Sequence, residues 1–203
     1  SISIGDDFKT LTAGTSNFRA GVNAGNSIAS GGNYNVVVGD EAGTALTTGD
    51  GNTAVGFEAL KTEDAHGRNT ALGYQALKTL NAGAEAVTTT IGYKAGTSLT
   101  TGVQNTLIGG LSGDALTDAD YNVAVGNNTL SSDTKGSKSV AIGYEALTSQ
   151  NFSTSTDSFN AAMGFQTGAA ITTGIYNTLI GGLAGAAITT GDGNTAVGTH
   201  ALD

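Results

Sequence analysis

The sequence predicts an all-β fold, a parallel β-solenoid of about twelve stacked coils of about 17 residues each. One short motif with a glycine at its fifth place recurs along the whole chain, and mostly β-forming residues precede that glycine. The chain has 32 glycines and no proline, cysteine or tryptophan. Because each glycine costs a helix about 1 kcal/mol relative to alanine, this composition disfavours helices.

The motif consists of an asparagine, three mostly apolar residues, the glycine, two variable residues and a small residue, as in NTAVGFEA and NVAVGNNT. Its key glycines are Gly5, Gly21, Gly39, Gly56, Gly73, Gly92, Gly109, Gly126, Gly143, Gly164, Gly181 and Gly198. Seven of the eleven intervals are 17 residues, and the others are 16, 18, 19 and 21. Residues 1–203 therefore form a single repeat array, and because Ser1 already lies inside a copy we expect a segment of a longer chain.

Positions are numbered here from the key glycine of each coil. Position −1 is apolar in every copy and position −3 is mostly β-branched, and these two share one strand face because side chains alternate. Position −2 points the other way and is usually alanine, as at Ala124 and Ala141. Small residues there indicate very close packing, and the interpretation is that this alanine face contacts other copies of the chain in a closed homo-oligomer.

Three further slots have a clear chemistry. Position −4 is asparagine in nine of twelve copies, with Ser1, Thr88 and Ser139 in the rest, which predicts a ladder of side-chain hydrogen bonds along the stack. The key glycine predicts a positive φ or a close backbone approach. Position +4 alternates between pairs of glycine and pairs of leucine, and the glycine-type coils carry leucine or isoleucine at position +7 instead. Each coil therefore needs one large aliphatic side chain to fill its interior. The +7 residues are Ile28, Leu46, Leu99, Leu116, Ile171 and Ile188.

The two longest intervals follow Leu77 and Leu147, and residues 81–87 and 149–159 are predicted to be surface loops.

Composition argues against several classes of function. The net charge is −9 with only eight scattered basic residues, which disfavours nucleic acid as a partner. Without cysteine there are no disulfides or thiolate metal sites, and no apolar run approaches the roughly 18 residues of a membrane span. His66 and His200 lie far apart, in a turn and in a variable slot, and both are predicted to be surface histidines. We therefore expect no enzyme, no cofactor and no metal site.

Some patterns allow two interpretations. Asp114, Asp118 and Asp120, with Asp50 and Asp192, fit calcium ligands or ordinary turns, and turns are favoured because calcium-binding spacings are absent. Aromatic residues that follow key glycines form either a glycan-binding strip or a packing ladder, and packing is favoured. These aromatic residues are Phe57, Tyr74, Tyr93, Tyr144 and Phe165.

Two weaker patterns remain. The glycine pairs Gly109–Gly110 and Gly181–Gly182 look like phosphate-loop fragments but lack a following Lys-Ser or Lys-Thr. Repeated Thr-Thr pairs fit an ice-binding array, but leucine-type coils interrupt them; these pairs begin at Thr47, Thr100, Thr172 and Thr189.

The motif N-[TSV]-[AV]-[IVL]-G-x-x-A resembles the head repeats of trimeric autotransporter adhesins. It is similar also to tail-fibre repeats of phages, notably those of marine and cyanobacterial hosts. SVAIG at residues 139–143 is nearly the adhesin form, whereas GNTAVGFEAL and NTALGYQAL are closer to the phage form. The resemblance covers the whole chain and implies a left-handed parallel β-roll, three chains wide. Adhesin repeats are usually shorter, and neither an anchor barrel, a coiled-coil stalk nor a self-cleaving chaperone domain is recognisable.

The expected function is that of a structural fibre segment of a virion, a phage tail fibre or appendage that forms a rigid trimeric rod and supports host attachment. Its expected partners are other copies of itself, other fibre or virion proteins and a host-surface receptor, with no nucleic acid and no membrane insertion. The alternative is the head of a bacterial trimeric surface adhesin, located at the cell surface. An ice- or glycan-binding module is a weaker alternative.

Overall fold

The computed structural model describes residues 12–203, and within them the chain contains strands and turns but no helix. The first motif copy, with Gly5, lies outside the described residues, and the other eleven copies each form one coil. The strands are β1 Phe18–Ala20, β2 Val36–Val38, β3 Thr53–Val55, β4 Thr70–Leu72, β5 Thr89–Ile91, β6 Thr106–Ile108, β7 Val123–Val125, β8 Gly136–Ser137, β9 Val140–Ile142, β10 Thr156–Asp157, β11 Ala161–Met163, β12 Thr178–Ile180 and β13 Thr195–Val197.

Eleven of these strands form one parallel sheet in chain order, and β8 and β10 form a second, two-stranded parallel sheet. Each motif position pairs with the same position of the next coil, as in Thr53 with Thr70 and Ala54 with Ala71. The predicted parallel β-solenoid is therefore confirmed. At about 4.8 Å per coil, the eleven described coils give a stack roughly 50 Å long.

The alanine face is the interior of each coil, so the prediction that it contacts other copies was wrong. Ala54, Ala71, Ala124 and Ala141 are fully buried within a single chain. The outward face is formed instead by positions −3 and −1, which are half-buried or exposed. The rest of each coil folds back over position −2, and the alanines at position +3, such as Ala59 and Ala76, join the same buried core.

The predicted exchange between positions +4 and +7 is confirmed. Leu60, Leu77, Leu130 and Leu147 are fully buried at position +4, and all but one of the aliphatic residues at position +7 of the glycine-type coils lie in the buried core, with Ile188 packed against it. A Cβ on Gly113 would lie 2.8 Å from Leu116 Cδ1, so the two slots share one volume.

The backbone conformation at position +4 is also constrained, and glycine and leucine adopt the same conformation there. Its φ lies between +49° and +62° in every described coil, whether the residue is glycine or leucine. Glycine adopts this left-handed conformation freely, whereas leucine there is strained by about 1–2 kcal/mol. Leucine is present where the coil needs its volume, and position −2 is alanine in every such coil, as at Ala54 and Ala124.

The key glycines combine a positive φ with a close backbone approach, as predicted. Their φ values lie between +128° and +144°. A Cβ on any of the first ten described key glycines would lie 2.2–2.6 Å from the carbonyl oxygen of the next key glycine. No real Cβ contact is that short, so this column admits only glycine at the observed spacing of coils.

The second long insertion is only partly a surface loop. Gln150 and Phe152 are buried, and the Gln150 side-chain amide donates a hydrogen bond to Asp133 Oδ2 at 2.6 Å. Residues 156–157 pair with residues 136–137 of the preceding coil. The insertion at 81–87 agrees better with the prediction, since most of its residues are exposed.

We predict that Gly126→Ala destabilises the protein far more than Gly83→Ala. A Cβ on Gly126 would meet the Gly143 carbonyl oxygen at 2.5 Å, whereas a Cβ on Gly83 meets nothing within 4 Å. The φ of Gly83 is +67°, which alanine can adopt at moderate cost, whereas the φ of Gly126 is +140°, so backbone strain and the close contact both add to the cost at Gly126. We expect a loss of about 3 kcal/mol or more for Gly126→Ala and about 1 kcal/mol for Gly83→Ala in chemical denaturation. Equal losses would show that the close approach is unimportant.

Candidate functional site

The exposed apolar residues of the described chain concentrate in one strip, which we call the outward strip. It consists of positions −5, −3, −1 and +1 of every coil, so the two outward strand positions are flanked by one column on each edge. Of the 18 exposed large hydrophobic residues among residues 12–203, 17 lie in these four columns, and Leu202 is the exception. The 17 residues are Phe18, Val22, Tyr34, Val36, Phe57, Leu72, Tyr74, Val87, Tyr93, Tyr121, Tyr144, Phe159, Met163, Phe165, Tyr176, Ile180 and Val197.

The outward strip is large for an exposed apolar surface. The seven residues from position −5 to position +1 span at most roughly 20 Å across the strip, and the coils span roughly 50 Å along it, which gives a total footprint of up to about 1,000 Å², polar positions such as the threonines of the −3 column included. The largest exposed apolar patch of a typical monomer is about 300–600 Å². Exposed apolar strips above that size are typical of interaction surfaces.

Charged residues are almost absent from the outward strip. Among its 44 described positions, four in each of eleven coils, only Asp40, Arg68 and Lys138 carry a charge. All three lie in the edge columns, so the two central columns at positions −3 and −1 are uncharged throughout the described coils. Depletion of charge at the centre with polar groups at the rim is typical of protein–protein interfaces.

The aromatic residues of the strip stack along the edge columns. In the +1 column, the ring centroids of Phe57 and Tyr74 lie 5.2 Å apart and those of Tyr74 and Tyr93 lie 5.5 Å apart, with ring planes within 20° of parallel. Tyr144 and Phe165 stack in the same column at 5.4 Å. The predicted packing ladder is therefore present, and each ring turns its face to the ring of a neighbouring coil.

A second aromatic column, at position −5, was not predicted from the sequence. Tyr34, Tyr121, Phe159 and Tyr176 occupy it, and the last two rings stack at 5.5 Å. The signal was present in the sequence, because each of these aromatic residues directly precedes the motif asparagine. The backbone at position −5 also has a positive φ in every described coil. The aromatic residue types found there give no indication of this conformation.

A buried asparagine ladder underlies the strip, as predicted. The backbone N–H of Asn52 donates to Asn35 Oδ1 at 2.8 Å, and that of Asn122 donates to Asn105 Oδ1 at 2.9 Å. The side-chain amide of Asn122 donates in turn to the Gly136 carbonyl at 2.8 Å. Each asparagine thus ties its own coil to the next and holds the start of each strand in register.

A charged cluster lies beside the strip, at positions +2 and +5. Glu58 Oε1 accepts a hydrogen bond from Lys61 Nζ at 2.7 Å, and Glu58 Oε2 lies 2.6 Å from Lys78 Nζ and accepts from Gln75 at 2.7 Å. Hydrogen bonds from Lys61 and then Lys78 lower the pKa of Glu58 from 4.5 to about 2. Bonds to Glu41 and Glu58 raise the pKa of Lys61 to about 12.

One group of side chains has the composition of a metal site. Ligand atoms of Glu63, Asp64 and His66 lie within 4.8 Å of one another, and the described residues contain no other such group of three. Glu63 is fully buried, and its carboxylate accepts hydrogen bonds from the backbone N–H groups of His66 at 3.1 Å and Ala82 at 3.3 Å. The carboxylate therefore already connects this turn to the insertion at 81–87.

The two histidines differ in environment. His66 is only partly exposed, and its Nδ1, buried without a hydrogen-bond partner, lies 3.5 Å from Glu63 Oε1. Its prediction as a simple surface histidine was therefore incomplete, whereas His200 is exposed as predicted.

The aspartates have roles in turns. Asp50 Oδ1 accepts from the backbone N–H of Asn33 at 2.6 Å, and Asp120 Oδ1 accepts from Val103 at 2.8 Å. Asp192 repeats this bond with Ile175 at 2.8 Å, so position −6 forms its own ladder. The ligand oxygens of Asp114, Asp118 and Asp120 do not gather within metal-binding distance in the described chain. Burial raises the pKa of Asp114.

In three of the four threonine pairs the first hydroxyl is engaged within the stack. The hydroxyl of Thr47 donates to the Asp64 carbonyl at 2.9 Å, that of Thr100 to the Thr117 carbonyl at 3.0 Å and that of Thr172 to the Thr189 carbonyl at 3.2 Å. Hydroxyls used in this way do not form a free array for ordered water. The glycines at Gly110 and Gly182 lie in the +1 column, where they interrupt the aromatic stacks.

We predict that Glu58→Gln removes part of the pH dependence of stability. Because the pKa of Glu58 is lowered in the folded state, its contribution is complete above pH 4.5 and is lost as the pH falls towards 2. We expect a loss on the order of 2 kcal/mol at pH 7, since partly exposed lysines screen the interaction, and little difference from the parent near pH 2. Urea denaturation at both pH values measures this, and a loss that persists at pH 2 would assign it to packing instead.

We predict that Asp118→Asn leaves the melting temperature unchanged, and that calcium shifts the melting temperature of neither the variant nor the parent. The Asp118 carboxylate accepts only a local hydrogen bond from the Thr117 hydroxyl at 3.3 Å. Thermal denaturation with millimolar calcium and with chelator is the measurement. A calcium-dependent shift in the parent that Asp118→Asn abolishes would contradict the assignment of this segment as a turn.

No helix in residues 12–203 is long and apolar enough to cross a membrane. No protein-family model, no curated protein and no solved structure matches the chain.

Proposed function

We propose that this chain is a structural segment of a virion fibre, in which three copies form a rigid rod that supports attachment to a host. The observation that carries this proposal is the outward strip, a continuous apolar surface that a single chain leaves exposed along its whole described length. Three copies that turn their strips towards a common axis cover that surface. The number three and the left-handed coil are what the resemblance to phage fibres and adhesin heads implies.

The area of the strip agrees with a stable assembly. The strip offers up to about 1,000 Å² per chain, whereas a standard stable interface uses roughly 800 Å² per partner. A closed rotational arrangement of identical chains covers the strip on every copy at once, and leaves no apolar edge for further growth sideways. In this arrangement the outward strip lies between chains. The asparagine ladder, the key glycines and the charged cluster lie within each chain.

The proposed work is mechanical. Every described coil is bonded to the next by in-register backbone and side-chain ladders, so the rod resists bending and local opening. The insertion at 81–87 and the exposed part of the insertion at 149–159 interrupt this regularity, and they are available for contact with other fibre proteins or a host receptor. This role requires no cofactor or catalytic group.

The second candidate is the head of a bacterial surface adhesin, which the near-adhesin motif at residues 139–143 favours. The same trimeric rod serves both roles, so the neighbouring genes distinguish them. Capsid and tail genes indicate a virus, and a downstream membrane-anchor barrel indicates an adhesin. An ice- or glycan-binding module is less favoured, because leucine-type coils interrupt the threonine pairs and several aromatic ring faces are stacked on one another.

We predict that the double variant Val125→Lys, Ile142→Lys disrupts the trimer. Both residues are in the −1 column, on adjacent coils of the outward strip. A trimer of this variant would hold six lysines near its axis, and burial of unpaired charges is costly. Native mass spectrometry should give a trimer for the parent and a monomer for the variant, with circular dichroism to check the fold.

Ser132→Lys is the matched control for this experiment, because Ser132 is exposed and lies outside the strip. We expect it to remain a trimer. A monomeric parent protein would overturn the proposed rod, and a normal trimer of the double variant would show that the outward strip is not the interface. Ala124 does not test the interface, because it is inside its own coil.

A further inference from the structure

We infer that neighbouring copies meet edge to edge within one coil level, so that the −5 column of one chain lies opposite the +1 column of the next. This inference rests on the proposed rod and specifies its contact. The two columns are suited to such a contact because they form opposite edges of the outward strip and hold nine of the twelve aromatic residues of the chain.

Symmetry determines which edges meet. If the rotation axis is parallel to the stack, all chains point the same way, and the end of each strand faces the start of the neighbouring chain's strand. The +1 column then meets a −5 column. A two-fold axis perpendicular to the stack would instead bring like columns together. A closed ring has no rise between copies, and the six steps from position −5 to position +1 cover about a third of a coil, which advances roughly 2 Å of the spacing of about 4.8 Å between coils. Coils of the same level are therefore opposed.

The sizes of the residues in the two columns fit this opposition. Eight described coils carry an aromatic residue in either column, and seven of them carry only one. The opposite column of the same coil then usually holds a small residue or a cation. The matched pairs with a small or short polar partner are Tyr34 with Asp40, Phe57 with Gly51, Tyr121 with Asn127, and Tyr176 with Gly182.

Two further pairs place a cation opposite a ring. Arg68 occupies position −5 where Tyr74 occupies position +1, and Lys138 does so where the +1 residue is Tyr144. Both rings are about 44% exposed in the single chain, so each has an edge available to a neighbour. Because both faces of the Tyr74 ring are stacked on Phe57 and Tyr93, a cation opposite it meets the tyrosine hydroxyl, whose oxygen can accept a hydrogen bond across the contact. Within its own chain Lys138 Nζ already pairs with Asp157 and lies 5.2 Å from the centre of the Phe159 ring, and Arg68 lies 3.4 Å from Glu85.

Two coils depart from this pattern: the Gly92 coil has Val87 opposite Tyr93, and the Gly164 coil carries both Phe159 and Phe165. The Gly164 coil has Ala161 at position −3, where every other described coil has threonine, valine or phenylalanine. The smallest residue of the −3 column therefore coincides with the only doubled pair of rings in the described coils, and it leaves room for the second ring between the chains.

Paired cysteines test the opposed levels directly, and the chain contains no other cysteine. The test variant is Tyr121→Cys with Asn127→Cys, both in the Gly126 coil and both exposed. Six residues of nearly extended chain hold the two sites roughly 15–20 Å apart within one chain, too far for an internal disulfide. After mild oxidation of the full chain we expect covalent trimers on denaturing gels, and none from either single-cysteine variant.

The offset control is Tyr121→Cys with Tyr144→Cys, which joins position −5 of one coil to position +1 of the next coil. We expect little cross-linking there, because the sites differ by one level. Covalent dimers from a single-cysteine variant would indicate like-to-like contact. Preferred cross-linking of the offset pair would indicate a stagger, and either result overturns the inference.

A size exchange gives an independent test. Asn127→Phe alone places rings on both sides of one level, and we expect weaker assembly, with the trimer melting at a lower temperature. Asn127→Phe with Tyr121→Ser moves the single ring to the other column, and we expect assembly to be restored. Native mass spectrometry distinguishes failure of this contact from failure of the proposed rod. A trimer that shows neither cross-link nor rescue removes this contact and keeps the rod, whereas a monomeric parent removes both.

Discussion

The close approach of successive key glycines is the constraint on which the rest of this structure depends. At each of the first ten described key glycines the next coil's carbonyl oxygen occupies the space that a Cβ would need. The contact sets the distance between coils and places every position directly above its equivalent. Because all later columns inherit this register, one glycine per coil determines which side chains are neighbours throughout the stack.

Register turns each motif position into a column with a single physical role. Asparagines become a buried ladder, since each satisfies the backbone of the next coil. At position +2 like charges would repel on adjacent coils, and Glu41 and Glu58 are instead bridged by Lys61. Apolar outward positions become a continuous strip, because no coil interrupts the two central columns with a charge.

The sequence predicted the period, the asparagine ladder and the shared volume of positions +4 and +7, because each depends on residue identity that recurs at fixed spacing. It did not predict which strand face is buried. A three-residue strand with apolar residues on both faces carries no signal for orientation, and alanine fits a thin interior as well as a tight interface. The buried Gln150–Asp133 bond was also missed, since long-range partners are invisible in a single motif. The −5 column was missed although its aromatic residues directly precede the motif asparagine.

The corrected orientation changes how stability is divided between the chain and its assembly. The interior of each coil is narrow, with one or two large aliphatic side chains and a few small residues per 17 residues, so a coil alone buries little apolar area. The larger β-branched and aromatic side chains lie outside, on the outward strip. A chain that placed them inward would need a wider coil and would lose the glycine contact that sets the register. Small residues inside the coil and large residues outside it therefore satisfy one requirement together. Stacking within the chain places the large side chains in columns, and association between chains buries those columns.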